Sequence, residues 1–216
     1  GRTSTAEHRD FLAAEVGKVL AATGARQVVL VGNSRGGNAI RNYVQNGGGA
    51  AHVSHAVLGG TPNHGVWALP DHLPNNEFNG AGPFLRGLNA PKNAAGDEVA
   101  GPVRWMTIRS DNNDKYAQPL GTWLGQPTMQ TGVTYEGPAL KGATNVVLPG
   151  RDHREVSFHA QAFEQSWRFL TGTAPKQLDF APEPRIVLNG KVASLHEQGG
   201  TAGEPSNLPM PGATVS

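Results

Sequence analysis

The chain has 216 residues, enough for one sizeable core or for one domain and part of another. Its 18 Lys and Arg nearly balance 17 Asp and Glu, and a net charge of +1 offers neither a basic stripe for nucleic acid nor a polybasic membrane patch. Cysteine is absent, which excludes disulfides, thiolate metal ligands and a cysteine nucleophile, and no apolar run approaches the roughly 18 residues of a membrane span.

Ser4, Thr5, Ala6 and Glu7 read as a capping box that opens a helix. Leu12, Val16, Val19 and Leu20 then share one helical face, and Gly24 ends the helix as a left-handed cap. Gln27 to Val31 is a short β-branched run, which predicts a buried parallel strand. After a glycine turn, Arg35 to Gln45 reads as a helix with Ala39, Ile40, Tyr43 and Val44 inward. Val53 to Leu58 predicts the next strand. Residues 62–101 dissolve into Pro, Asn and Gly with scattered large apolar side chains. Val103 to Arg109 returns as a strand, followed by the Asn- and Asp-rich Ser110 to Asp114. A second irregular stretch leads to a strand over Asn145 to Leu148. Glu155 to Leu170 reads as one helix, with Phe158, Ala162, Phe163, Trp167 and Leu170 as its core face and His159 inside it. Strands alternating with helices imply a mostly parallel sheet covered on both faces, an α/β fold. Residues 173–184 are Pro-rich and read as a linker between a first domain over 1–172 and a short β-rich segment over 185–216, with β-like runs at 185–188 and 212–215.

Gly32, Asn33, Ser34, Arg35 and Gly36 form a G-x-S-x-G pattern. Chance alone gives about one such match in six chains of this composition, so the bare pattern is weak. Its place is informative, because it falls where an apolar strand turns into a helix. A serine in a strained strand-to-helix turn projects its hydroxyl above the sheet edge as a nucleophile. Gly32 and Gly36 lack a Cβ and let strand and helix approach closely. The amide of Arg35, at the helix start, is placed to bind a developing oxyanion.

Such a serine needs a base and an orienting acid, which follow it in the order Ser, acid, His on loops after strands. His153 lies directly after the 145–148 strand and before a helix, as the base must. The other seven histidines fit worse: His8 precedes the serine, His52, His55, His64 and His72 precede the acid loop, His159 sits in a helix and His196 lies beyond the linker. The acid loop offers Asp111 and Asp114. Asp111 has a second use as an Asx-type turn former, as do Asn112 and Asn113. Asp152, His153 and His159 lie close in sequence, as do His52 and His55, but neither group has a metalloenzyme spacing, so no metal and no cofactor is expected.

These residues resemble the bacterial lipases and esterases of the α/β-hydrolase superfamily. Val28 to Asn38 looks like their nucleophile segment, Gly60 to Gly65 like the glycine–threonine–proline stretch after the next strand, and Gly150 to Val156 like their histidine loop. Asp114 to Pro119 is similar to their acid loop, where the acidic residue precedes a proline by five positions, and that match favours Asp114 over Asp111. The resemblance covers residues 1 to about 172. It implies an α/β-hydrolase fold and a carboxylic-ester hydrolase in which Ser34 attacks, His153 takes the proton, Asp114 orients the imidazole and Arg35 supplies an oxyanion amide. Its substrate would be a small-molecule or lipid ester. A polyester depolymerase with the same triad, or a non-catalytic binding domain of this fold, are the alternatives. The family places a further strand and loop, which carry the second oxyanion amide, before the first helix seen here. The resemblance therefore implies an N-terminally truncated domain, weakly active as it stands and with an unpaired sheet edge beside residues 27–31. Residues 185–216 resemble the opening of β-sandwich modules appended to secreted enzymes, which implies a secreted or periplasmic protein; the first residues run straight into a helix, so any export signal would lie upstream of them. Finally, residues 62–101 are too long for a plain connection. Val66, Trp67, Leu69, Leu73, Phe78, Phe84, Leu85 and Leu88 are expected to form a cap over Ser34 and an apolar acyl pocket.

Overall fold

The computed structural model describes residues 4–111, 113, 114, 116, 122, 123, 126–134, 137, 139–179, 182, 184, 185, 187, 193–195, 205–209 and 212–214. They form two compact units, residues 1–178 and 179–216. The first unit is built on four parallel strands: β1 (Val28–Asn33), β2 (Val53–Gly59), β3 (Arg104–Arg109) and β6 (Thr144–Val147), in the order β1-β2-β3-β6. A short antiparallel pair, β4 (Thr122–Trp123) and β5 (Gln126–Gln130), occupies part of the stretch expected to be irregular.

The alternation of β2 divides the core. Ala56 and Leu58 meet Val16 of α1 (Thr5–Thr23) and Ile40, Tyr43 and Val44 of α2 (Arg35–Asn46), whereas Val57 joins Met106, Ile108, Val156 and Ala162 on the other face. Helices therefore cover both faces, with α4 (Glu155–Phe158) and α5 (Ala160–Thr171) on the second. The Ser4–Glu7 capping box and the left-handed Gly24 cap are both present on α1.

Three sequence-based expectations need correction. β1 is not buried: it is the edge strand of the four, and Val29 and Val31 are 43% and 58% exposed because nothing among the described residues covers their face. The helix expected over 155–170 is broken at His159, whose extended backbone and ring Nδ1, accepting from the Gln161 amide at 3.2 Å, start α5 as an N-cap. Ala162, Phe169 and Leu170 face the core, while Phe158, Phe163 and Trp167 are exposed. Val19 of α1 is exposed as well.

In the second unit the described strands are β7 (Ala193–Leu195) and β8 (Pro205–Pro209), paired antiparallel. Of the β-like runs expected at 185–188 and 212–215, Ile186, Leu188 and Val215 lie outside the described residues, and the rest are not in strands. Gly190, Lys191, Val192 and Pro211 also lie outside them. No helix among the described residues is long and apolar enough to cross a membrane.

Candidate active site

Ser34 sits between the end of β1 and the start of α2 with φ 54° and ψ −124°, a conformation that costs a non-glycine residue about 1–3 kcal/mol. The turn is held from both sides. The Ser34 amide donates to the Gly59 carbonyl at 2.8 Å, and the Ser34 carbonyl accepts from the Gly37 amide at 3.0 Å. A Cβ on Gly32 would meet Ile40 at 2.7 Å and the backbone of Gly36 at 2.9 Å, so the close strand–helix approach does require glycine there. Gly36, by contrast, has open space around it. The second tight position is Gly37, whose α-hydrogen faces the Thr61 side chain.

The acid and histidine loops are stitched together at the ends of β3 and β6. His153 Nδ1 lies 2.8 Å from Asp114 Oδ2, with both side chains mostly buried. The other Asp114 oxygen accepts from the Tyr116 amide at 2.9 Å, and the Tyr116 ring packs edge-on against the imidazole with centroids 4.6 Å apart. With Nδ1 against the carboxylate, Nε2 is the ring nitrogen left free of it. Asp111 has the turn-forming use: its carboxylate accepts from the Gly150 amide at 3.1 Å, the Asn113 amide at 3.2 Å and the Ser110 hydroxyl at 3.2 Å. These bonds, the one from Gly150 foremost, hold its carboxyl below the usual range. The single Ser110 hydroxyl proton is shared with the Arg151 carbonyl, and the Asn113 side-chain amide donates to the Gly150 carbonyl at 3.2 Å. Asn112, Lys115 and 117–119 of the acid loop lie outside the described residues.

Ser34, Asp114 and His153 line one cavity of about 900 Å³. Two residues not singled out by sequence bring the loops together. The Asn33 side-chain nitrogen lies 3.1 Å from the Gly59 carbonyl, 3.0 Å from the His153 carbonyl and 3.0 Å from the Ser157 hydroxyl, so the residue before Ser34 touches the backbone of His153 itself. Gly60, at φ 55°, has no room for a side chain: a Cβ would stand 2.9 Å from the His153 carbonyl and 3.2 Å from its Nδ1.

Residues 60–80 form a wall of the same cavity. Val66, Trp67, Leu73 and Phe78 line it, as expected of a cap. Leu69, Phe84, Leu85 and Leu88 do not: α3 (Pro83–Leu88) turns Leu85 and Leu88 into full burial away from the cavity. The segment folds around Asn79, which is fully buried and bonds both the Leu69 amide (3.1 Å) and carbonyl (2.8 Å), the His72 carbonyl (3.1 Å) and the Ala81 amide (3.0 Å). Long charged side chains tie it to the rest. Arg41, fully buried, donates to the Leu88 carbonyl at 3.0 Å and to Asn89 Oδ1 at 2.8 Å, and burial pulls its pKa down to about 10. Arg35 pairs through Nε with Glu77 Oε2 at 2.8 Å, and also through its terminal nitrogen. His64, which lines the cavity, bonds Glu98 at 2.9 Å. Among the described residues no three His, Asp or Glu side chains converge as a metal ion needs.

No family model matches the sequence, and no curated protein matches it either. Solved structures do match its architecture. Lipase B of Aspergillus fumigatus is 14% identical at a TM-score of 0.54, with 82% of this chain and 44% of that one covered. The mature lipase BlEst2 of Bacillus licheniformis is 19% identical at 0.52, covering 78% and 74%. A gene product of Listeria innocua is 17% identical at 0.50, covering 82% and 70%. The chain spans less than half the length of the fungal lipase. Together with the parallel four-stranded sheet and its two helical layers, these likenesses make the first unit an α/β-hydrolase fold.

Proposed function

We propose that the protein is a serine carboxylic-ester hydrolase. Ser34 attacks the ester carbonyl, His153 accepts its proton through Nε2 and returns it to the leaving alcohol, and Asp114 orients and stabilises the imidazolium. Water then releases the acyl group from Ser34 by the same steps in reverse roles. The Arg35 amide at the start of α2 is the proposed oxyanion donor. The observation that carries this reading is a serine in a strained strand-to-helix turn sharing one cavity with a His153–Asp114 pair bonded at 2.8 Å. Asp114 is favoured over Asp111 because Asp111 is occupied with backbone amides of its own and the histidine loop.

The substrate side of the reading is an ester with an apolar acyl chain, supported by Val66, Trp67, Leu73 and Phe78 in the cavity wall. Residues 185–216 are read as part of an appended β-module, and the protein as secreted or periplasmic. The test is kcat/KM for p-nitrophenyl esters of increasing chain length. The reading predicts a rise with chain length, loss of that rise in Trp67→Ala and Phe78→Ala, and no turnover in Ser34→Ala. Turnover that survives Ser34→Ala would refute it.

A further inference from the structure

The charged side chains that line the cavity are matched, with one exception. Asp114 holds His153, Asp111 holds backbone amides, and His64 is paired with Glu98. Arg154 is exposed beside Asp152, whose carboxyl its charge helps to hold down. Arg109 is different. Its side chain lines the cavity and is only partly exposed, yet among the described residues it makes one hydrogen bond, from a terminal nitrogen to the Gly137 carbonyl at 2.8 Å. Its Nε is buried with no partner, and among the described residues no carboxylate pairs with it. The guanidinium has more donors than the Gly137 carbonyl uses, and an acceptor on a ligand in the cavity would take those of its exposed end.

The sheet register sets where that acceptor would lie. Asn33 pairs with Gly59, and Gly59 with Ile108, so Ser34 and Arg109 each follow one position after a registered row. Two strand spacings separate them, roughly 10 Å. Ile108, Val133 and Leu140 also line this cavity.

We propose that Arg109 is a specificity residue that binds an oxygen acceptor carried on the acyl chain several bonds beyond the scissile ester. This rests on the hydrolase reading above and narrows its substrate to acyl chains bearing such a group. Two sources share the chemistry: the free carboxylate of a dicarboxylic half-ester, and the next ester carbonyl of an oligoester chain.

The test is calorimetric titration of the full chain carrying Ser34→Ala with monomethyl adipate, dimethyl adipate and methyl hexanoate, repeated with Arg109→Met added. One charge-assisted bond should make an acceptor-bearing ligand bind about ten- to a hundred-fold more tightly than methyl hexanoate, and Arg109→Met should abolish the difference. An advantage confined to monomethyl adipate identifies a carboxylate, and one shared by both adipates identifies a carbonyl. Should Arg109→Met fail to fold, Arg109→Lys, which keeps the charge and loses the fork, should weaken the preference several-fold. Equal binding of all three ligands, no binding of any, or a preference that survives substitution of Arg109 would overturn the proposal. The Ser34→Ala protein need not turn over, so this result is independent of the hydrolase reading, whose failure would show as a wild-type protein inert towards p-nitrophenyl esters.

Discussion

The loops that carry Asp114 and His153 are joined by short side chains bonding nearby backbone: Ser110, Asp111 and Asn113 on one loop, Asn33 reaching across from the serine turn. The segment over residues 60–98 is held by long or ionic side chains instead: buried Arg41 and the Arg35–Glu77 pair reach it from α2, and the His64–Glu98 pair closes it on itself. Short side chains lose little rotamer entropy and define position tightly, while long ionic ones span greater distances and respond to solvent. The difference suits a site whose reacting groups must be placed to within fractions of an ångström beside a wall that only has to shape a ligand.

Removing the deepest anchor should show the largest effect. Arg41→Met leaves the Leu88 carbonyl and Asn89 oxygen without their buried donor, and should lower stability by about 2–4 kcal/mol, read as a fall in the urea midpoint at constant m-value. On the other side, Asn33→Ala should leave folding nearly intact and lower kcat about tenfold with KM little changed, because it releases the His153 backbone rather than a ligand. Asn33 is exposed, which keeps the effect below that of burying the same bonds. An unchanged kcat would erase the contrast between the two sides. Glu77→Gln should cost only about 0.5–1 kcal/mol in low salt, a loss that fades towards molar salt as the partly exposed pair is screened. Asp111→Asn should have the smallest effect of the four. The folded carboxyl of Asp111 is held below its ordinary value, so its contribution is present above about pH 4 and is lost as pH falls through the folded pKa. The variant should therefore be slightly less stable than the wild type at neutral pH, with the difference shrinking as pH falls below about 4.

Much of the local structure around Ser34 and His153 was legible because local rules govern it. The capping box at Ser4 and Glu7, the glycine turn after an apolar strand, and a histidine directly after the last strand are short-range patterns. Asn33 and Gly60 were not legible as partners of His153, since 120 and 93 residues separate them from it and only the sheet order brings them together. The same reason hid Arg109, which reads in sequence as an ordinary strand-end cation. Within 62–101 the apolar residues were visible but their destinations were not. Composition cannot tell that Phe78 faces the cavity while Leu85 and Leu88 enter the core through a helix of six residues. The break at His159 carries no Pro or Gly to announce it, and Phe158, Phe163 and Trp167, expected in the core, are exposed.

The central claim is that Ser34 is a nucleophile activated by His153 and Asp114, and labelling by a fluorophosphonate with peptide mapping of the adduct tests it most directly. The account predicts a single adduct on Ser34, absent in His153→Ala, formed about 10³–10⁴ times more slowly in Asp114→Asn, and formed within a few-fold of the normal rate in Asp111→Asn. An adduct on another residue, no adduct at all, or a rate that falls with Asp111→Asn and not with Asp114→Asn would contradict it.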